Sequence, residues 1–386
     1  MSEPTGRDLG IFSFFESLPE PRVERTRFHP LMNVLVIALL AMICGADGWE
    51  DMETFGNAKR AWLSTFLDLT HGIPSEDTFR RVFAALDPTA FNACFIAWVQ
   101  ALSEGTEGKL VAVDGKTVRH SFDRATGKKA LHLVSAWVAD NRLALGQLAT
   151  EEKSNEITAI PKLLDLLDIR GATITVDAMG CQREIAKKIV DRGADYIMGL
   201  KGNQGTAHDA VEGFFDDARA NEFRDVQHTF HQTVDGSEHG RLEVRRIWSS
   251  QQLDWFADRA KWKRLQSLIM VESERTVGAE TSTERRYYWS SHAADAEIFA
   301  AMIRGHWSIE NQLHWSLDMA FGEDQSRIRT GHATQNIALL RKITMNLAKN
   351  ERSHKAGIKA KMKRAGWEDD YLLKLLRVGL PKKQAN

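Results

Sequence analysis

Residues 109–203 alternate short apolar segments with amphipathic helical ones, and this alternation limits the fold more than any other feature of the chain. A buried strand reads as a continuous apolar run, whereas a surface helix repeats its apolar residues every three to four positions. Three successive strands are predicted at KLVAVDGKTV, KALHLVSAWVAD and RLALGQLAT. Two more, each preceded by a helix, are predicted at ATITVDAM and DYIMGLKGN. The order β-β-β-α-β-α-β predicts an α/β (mixed α+β) domain, with a mixed five-stranded sheet covered by helices.

The regions on either side of this segment have different patterns. The N-terminal part has helical periodicity throughout, and its Gly/Pro-joined helix pair is consistent with a helix-turn-helix or with an ordinary helical bundle. After the core strands, one helix is followed by several strand-like segments, and a long amphipathic helix begins near Ala294. The predicted domains are an N-terminal helical domain that is a candidate for DNA binding (1–105), a core (106–203 and 294–348), a β-rich insertion (204–293) and a basic C-terminal tail (349–386).

The composition excludes several classes of protein. The 386 residues carry a net charge of −1, so any binding to nucleic acid must come from local clusters of cations. The three cysteines are far apart and form no CxxC pair, which argues against a zinc ribbon or a disulfide framework and favours the cytoplasm. The apolar run at 31–44 is shorter than the roughly 20 residues that span a bilayer, so we expect a buried helix and no membrane partner.

Two of the predicted strands end in the same way, with valine, an aspartate and then small residues. Asp114 follows LVAV, and Asp177 follows TITV. An aspartate before a glycine is also a favoured turn pair, so the first segment alone is consistent with an ordinary turn. Carboxylates that gather at one sheet edge repel one another and need a cation, and their hard oxygen ligands favour Mg²⁺. The pair therefore predicts a metal site whose third carboxylate comes from a helix.

That third carboxylate is predicted in HWSIENQLHW, residues 306–315. At 3.6 residues per turn, His306 and His314 lie one turn either side of Glu310. Glu310 lies at the edge of an apolar stripe, where a buried acid needs a partner. Three interpretations remain open: a metal ligand beside the two aspartates, a solvated surface glutamate, and a zinc site with the two histidines, for which the sequence offers no further ligand cluster.

Four motifs in order make the chain similar to a known family: AVDGKTVRHS, TVDAMGCQ, LKGNQ and HWSIENQLHWSLDMAFGEDQSR. Over nearly its whole length, the chain resembles the DDE transposases of the ISAs-one insertion-sequence family, which are related to the IS-four group and carry an N-terminal associated domain. The resemblance implies a ribonuclease-H-like core with the insertion before the last catalytic helix. It also implies that Asp114, Asp177 and Glu310 form the catalytic metal triad.

The activity implied by the resemblance is cleavage at insertion-sequence ends and strand transfer into target DNA by two-metal phosphoryl transfer. The implied cofactor is Mg²⁺, with Mn²⁺ as a substitute. The implied partner is double-stranded DNA, bound by a homodimer in the cytoplasm at the nucleoid. The chain departs from the Tyr-Arg-Glu-Lys signature of the IS-four group, because Ile303, His306 and Leu317 stand around Glu310. The roles of that tyrosine, arginine and lysine therefore do not transfer.

Polar and basic residues near the predicted acids are candidates for DNA contact. Cations follow Asp114 across a predicted hairpin, others follow the last core strand, and two histidines flank Glu310. The candidates are Lys116, Arg119, Arg124, Lys128, Lys129, Lys201, Asn203, His306, His314 and Arg327. Asp324 is a candidate for an extra metal ligand. Two other functions remain open: a different two-metal nuclease on the same core, and a non-enzymatic or decayed DNA-binding protein.

Overall fold

The computed structural model describes residues 10–103, 105–124, 127–150, 156–237 and 241–378. The N-terminal part is helical, as predicted. Its helices are α1 Leu31–Ile43, α2 Trp49–Ala58, α3 Arg60–Leu63, α4 Glu76–Ala85 and α5 Pro88–Leu102. The apolar run at 31–44 forms the buried helix α1. No single helix among the described residues has both the length and the apolar character to cross a membrane; α4 and α5, bent by 89°, meet those criteria only as a pair and by length and composition alone.

One mixed sheet of nine strands forms the centre of the molecule, in the order β3-β2-β1-β4-β5-β9-β8-β7-β6. The strands are β1 Leu110–Thr117, β2 His132–Val138, β3 Leu143–Thr150, β4 Thr173–Val176, β5 Asp195–Leu200, β6 Thr229–Ser237, β7 Arg241–Ser250, β8 Ser267–Val277 and β9 Glu280–Ser290. The prediction of five strands was wrong, because the insertion does not form a sheet of its own. Its last strand pairs antiparallel with β5, Met198 opposite Trp289, and so extends the core sheet.

The first five strands follow the predicted order along the chain. Strand β1 pairs antiparallel with β2 and parallel with β4, and β4 pairs parallel with β5. Val113 lies opposite Val176 in the parallel pair. Asp114 and Asp177, the next residue of each segment, therefore emerge side by side at one edge of the sheet.

The helices of the core are α6 Glu156–Leu166, α7 Arg183–Asp191, α8 Gly205–Ala220, α9 Ala296–His306 and α10 Trp315–Phe321. The long helix predicted from Ala294 is interrupted, because residues Ile309–His314 between α9 and α10 form a π-helical segment. Gly322, with φ of 56°, ends α10 in the left-handed region that glycine adopts without strain. π-Helical segments frequently occur at functional sites.

The C-terminal part is folded against the rest of the molecule. Its helices are α11 Ala333–Asn350, α12 Ile358–Trp367 and α13 Asp369–Arg377. Helix α11 is buried along most of its length and joins the N-terminal helices to the sheet, since Asn336 donates to the carbonyl of Phe83 and Asn346 pairs with Ala144 of β3. The predicted basic tail therefore contains two packed helices up to residue 377, and its Lys361 turns inward to donate to the carbonyl of Ala348 at 2.8 Å.

Candidate metal centre

The two aspartates lie on the same face of the sheet. Side chains alternate between the two faces of a strand, so Asp114 points to the side on which Thr175 of β4 contacts α9. Asp114 has a side chain that is 17% exposed. Asp177 is exposed, and its Oδ1 accepts a hydrogen bond from the backbone N–H of Gly180 at 3.1 Å. One aspartate is therefore largely enclosed and the other faces solvent.

The third predicted acid, Glu310, lies in the π-helical segment and is exposed. This segment is fixed from the side of the sheet by two side chains. Trp137 of β2 donates its indole N–H to Ser308 Oγ at 3.0 Å, and Lys349 of α11 donates to the backbone carbonyl of Gln312 at 2.5 Å. The carboxylate of Glu310 thus projects from a turn that is itself well anchored.

The electrostatics place the three carboxylates around one space. Burial raises the pKa of Asp114 to about 7, and repulsion from Asp177, Glu310 and Glu156 contributes to the rise. Burial also raises the pKa of Glu310, and Asp177 acts in the same direction while the Arg286 guanidinium opposes it. Each member of the triad therefore experiences the negative charge of another.

Neither neighbouring histidine compensates this charge. His306 Nδ1 lies 2.9 Å from Thr175 Oγ1, and His314 Nδ1 lies 3.7 Å from Asp114 Oδ2. Burial lowers the pKa of His306 to about 4 and that of His314 to about 3. Both rings are therefore neutral near pH 7, and both point to the sheet rather than outward.

The donor set fits a divalent cation that prefers oxygen ligands. Arg286 is the cation that acts on one of the three carboxylates, Glu310, so the site keeps an excess of negative charge that a bound ion would offset. Among the described residues, the group of three whose ligand atoms all lie within 4.8 Å is His208, Asp209 and Glu212 on α8, and neither the triad nor the alternative zinc site with His306 and His314 meets that spacing.

Gly115 explains the Val-Asp-Gly sequence, which is not a turn because β1 continues to Thr117. A Cβ at position 115 would lie 2.3 Å from Glu156 Oε1 and 2.5 Å from His132 Nε2. These two groups pair at 2.6 Å in a fully buried contact, and Thr117 Oγ1 lies 2.8 Å from the other ring nitrogen of His132. The sequence reasoning missed this pair; an acid at the start of α6 suggests only a favourable charge at a helix N-terminus.

Lys116, predicted to contact DNA, lies among acids within the protein. Its side chain is 12% exposed, and its Nζ lies 2.9 Å from Glu323 Oε2, 3.7 Å from Asp324 Oδ1 and in hydrogen-bond contact with Asp318. Asp324, the candidate for an extra ligand, also pairs with Arg119 at 3.2 Å. The polar atoms of Lys116 and Asp324 are thus engaged within the protein.

The remaining candidates for DNA contact divide by exposure. Lys128 donates to the carbonyls of Arg329 at 2.5 Å and Gly331 at 3.2 Å, which leaves its ammonium group engaged within the protein. Asn203 is exposed and donates to the carbonyl of Ala178 at 2.5 Å, beside Asp177. The exposed cations are Arg119, Arg124, Lys129, Lys201 and Arg327.

A groove of about 1110 Å³ lies between the strands of the insertion and α9, and none of the three acids is among its lining residues. The groove is polar and mixed in charge, since Arg245 pairs with Glu243 and Arg286 with Glu284. Trp307 lines it, 37% exposed, beneath the guanidinium of Arg286 at 4.9 Å. The mixed charge does not select one class of ligand.

Comparisons with known proteins show which family the chain resembles. The family described as Transposase DDE domain matches residues 105–347, and the family described as DDE_Tnp_1-associated matches residues 12–99. The transposase homologue YncI of Escherichia coli O157:H7 is 41% identical over 370 residues, which cover 95% of this chain and 94% of YncI. The H repeat-associated transposase homologue YhhI of Escherichia coli K12 is 40% identical over 353 residues, which cover 90% of this chain and 92% of YhhI.

One solved structure is similar at lower identity. The cryo-EM structure of the piggyBac transposase synaptic complex with hairpin DNA aligns with a TM-score of 0.44 and 12% identity, over 98% of this chain and 79% of that one. A likeness at this level supports no argument about the site.

Proposed function

The chain belongs to the family of transposases with a DDE domain, and we propose that Asp114, Asp177 and Glu310 are the acids with which it cuts and joins DNA. The members of this family are DNA nucleases and strand transferases. The observation that carries the assignment is the pairing of β1 with β4, which sets Asp114 beside Asp177, while His314, in the π-helical segment that contains Glu310, lies 3.7 Å from the Asp114 carboxylate. Membership of the ISAs-one subgroup is part of the same proposal.

A ribonuclease-H-like core is proposed for residues 106–203 and 294–348. The order β3-β2-β1-β4-β5, with β2 antiparallel to its neighbours, supports it. Such a sheet brings the ends of β1 and β4 to one edge and leaves the third acid to a helix that crosses the same face. We assign residues 204–293 to an insertion that lengthens this sheet and residues 1–105 to a DNA-binding domain.

We propose Mg²⁺ as the physiological cofactor, with Mn²⁺ as a substitute, because the donors are hard carboxylate oxygens. Bound divalent ions would supply activation of the attacking oxygen and stabilisation of the leaving oxygen in an in-line displacement. Asp114 would hold them together with Asp177 and Glu310, and it is the most enclosed of the three acids. Its raised pKa means that metal binding releases a proton at and below neutral pH.

The histidines act from within the protein. His306 fixes α9 to β4 through Thr175, and the neutral ring of His314 lies against Asp114 without neutralising it. A charged imidazole at that position would compete with a divalent cation for Asp114, and burial prevents that charge from forming. Both residues therefore support the metal ligands and do not contact DNA in this proposal.

The proposed DNA surface consists of the exposed groups around the triad. Double-stranded DNA, as transposon ends and as target, is held through phosphate contacts that position the scissile bond without reading sequence. The residues assigned to it are Arg119, Arg124, Lys129, Lys201, Asn203 and Arg327. We further propose that the chain acts as a homodimer that pairs two transposon ends, in the cytoplasm at the nucleoid.

A strand-transfer assay tests the proposal. The substrate is a linear DNA fragment that carries the inverted repeats of the element, incubated with Mg²⁺ and a target plasmid. Wild-type protein is expected to give cleaved ends and joined products, and Asp114→Ala is expected to give neither while still retarding the DNA in a gel. Joined products from Asp114→Ala would exclude this residue from the catalytic site.

A further inference from the structure

Lys116 forms a buried ionic cluster beside the triad. The side chain of Glu323 is 1% exposed and that of Asp318 is 32% exposed, and both accept from Lys116 Nζ. Two further cations from α11, Arg341 and Lys342, are buried at 3% and 1% exposure. The cluster is thus sealed from solvent on the side of Glu323 and partly open at Asp318.

Lys116 and its partner Asp318 lie in two segments that adjoin members of the triad. Lys116 follows Asp114 by two residues on β1, so both side chains leave the same face of the strand. Asp318 lies on α10, which continues directly from the π-helical segment that contains Glu310. One ammonium group therefore joins the strand of the first acid to the helix of the third.

Neighbouring contacts connect the same two segments. Arg119 pairs with Asp324 at 3.2 Å, and Arg329 Nε donates to the carbonyl of His120 at 3.1 Å. These contacts involve exposed or half-buried groups, whereas Lys116 is the member of this set that reaches a fully buried carboxylate. Lys116 therefore makes the most buried of these polar contacts between β1 and the segment around α10.

Opposite charges face one another in the cluster. Lys116 Nζ contacts both Glu323 and Asp318, and the cations Lys116, Lys342 and Arg341 hold the pKa of Glu323 below its ordinary value although burial opposes it. Buried ion pairs add little net stability compared with apolar groups of the same volume, so stability alone does not explain this cluster, whereas fixed geometry does.

We propose that Lys116 is a positioning residue: its ion pairs with Asp318 and Glu323 fix β1 against α10 and thereby set the affinity of the carboxylate site for divalent metal. The inference rests on the metal site of the proposed function. It replaces the sequence-based expectation that Lys116 contacts DNA. Groups that orient metal ligands without touching the ion typically change metal affinity 10–100-fold when they are removed.

The test measures Mn²⁺ binding to the full-length protein by calorimetry, without DNA. Lys116→Gln and Asp318→Asn are each expected to weaken Mn²⁺ binding roughly tenfold or more, and Lys116→Arg is expected to restore most of it. Lys109→Gln is the matched control, because Lys109 precedes the same strand at its other end and donates to the carbonyl of Gly105. Its Mn²⁺ affinity is expected to equal that of the wild type.

Asp318→Asn separates positioning from DNA contact. If Lys116 served only to bind phosphate, loss of its contact with Asp318 would leave Mn²⁺ affinity unchanged, since Glu323 would still accept from its ammonium group. That result, or an unchanged Mn²⁺ affinity in Lys116→Gln, would overturn the proposal. Asp318 is one-third exposed, so its variant is the one to rely on if Lys116→Gln does not fold.

Asp114→Asn, measured beside these variants, distinguishes failure of the positioning role from failure of the proposed metal site. Loss of Mn²⁺ binding in Asp114→Asn together with wild-type affinity in Lys116→Gln rejects the positioning role and leaves the metal site standing. Full Mn²⁺ affinity in Asp114→Asn rejects the proposed metal site, and the positioning role with it.

Discussion

Asp114 and Glu310 contribute the same charge to one site, but the protein holds the two groups in opposite ways. Asp114 is enclosed, with the buried His132–Glu156 pair behind the next residue and the Lys116 cluster on its own face of the strand. Glu310 is exposed, and only its backbone turn is anchored. In the proposed site, Asp114 would therefore be held in a fixed position within the protein, whereas Glu310 would approach metal and DNA from the solvent-exposed side.

The largest expected effect is on the rate of DNA cleavage, and it follows from the loss of the exposed carboxylate of Glu310. Glu310→Gln is expected to slow DNA cleavage about a thousandfold, because a lost metal ligand removes several kcal/mol of transition-state stabilisation. The melting temperature should not fall, since the side chain is exposed. Single-turnover cleavage and thermal unfolding measure the two effects.

Glu297→Gln is the control for this prediction, because Glu297 is an exposed glutamate in the first turn of α9. Its cleavage rate is expected to match the wild type. Equal rates for the Glu310 and Glu297 variants would remove Glu310 from the site.

The second largest effect is on the free energy of unfolding, and it comes from the buried residues around Asp114. Gly115→Ala would place a methyl group against the carboxylate of Glu156, and separation of the buried pair with His132 is expected to cost roughly 3–5 kcal/mol. Urea unfolding measures the loss. Gly205→Ala is the control, since no atom lies within 4 Å of its new Cβ, and its stability should be equal or slightly higher. A Gly115→Ala protein of wild-type stability would show that the pair is not tightly constrained.

The fold of the core could be predicted from sequence because its signals are local. Apolar strands and amphipathic helices alternate in a fixed order, and Val-Asp occurs in two strand segments that are neighbours, although β1 continues past Asp114 to Thr117 whereas β4 ends at Val176. What could not be predicted depends on partners far along the chain. Lys116 looks like a surface cation until Asp318 and Glu323, about two hundred residues later, are placed beside it.

Two other differences have the same origin. The helix of Glu310 was expected to be regular, but its π-helical segment depends on Trp137 and Lys349, which lie far away in sequence. The nine-stranded sheet depends on the pairing of β9 with β5, a choice of edge that the alternation within β9 does not encode. Glu310 could be identified only through its motif, because an exposed glutamate on a helix has no distinctive local signal.

The third expected effect concerns pH and the metal-free protein. The pKa of Asp114 is raised to about 7 in the folded chain from about 4 when unfolded, so the native state retains a proton that the unfolded state releases. Stability should therefore fall between pH 4 and pH 7, by on the order of 4 kcal/mol. Asp114→Asn should lack this fall, and Asp217→Asn, at an exposed site on α8, should keep it. Urea unfolding at several pH values checks the difference, and parallel slopes in all three proteins would contradict it.

The smallest expected effect concerns the exposed cations on the open side. Arg327→Ala is expected to weaken DNA binding less than tenfold and to reduce the slope of log affinity against log salt by about 1. Lys187→Ala, at an exposed position on α7, should change neither quantity. Fluorescence anisotropy across a salt series provides the measurement, and identical slopes for wild type and Arg327→Ala would place this arginine outside the DNA surface.

The most direct test of the account is calorimetric titration of Mn²⁺ into wild-type protein and Asp177→Asn, because Asp177 is exposed and its loss should leave the fold intact. Wild-type protein is expected to bind Mn²⁺ saturably, with an affinity that weakens below pH 7 as Asp114 takes up a proton. Asp177→Asn is expected to bind Mn²⁺ at least tenfold more weakly. Equal Mn²⁺ affinity in the two proteins would contradict the claim that these carboxylates form one metal site.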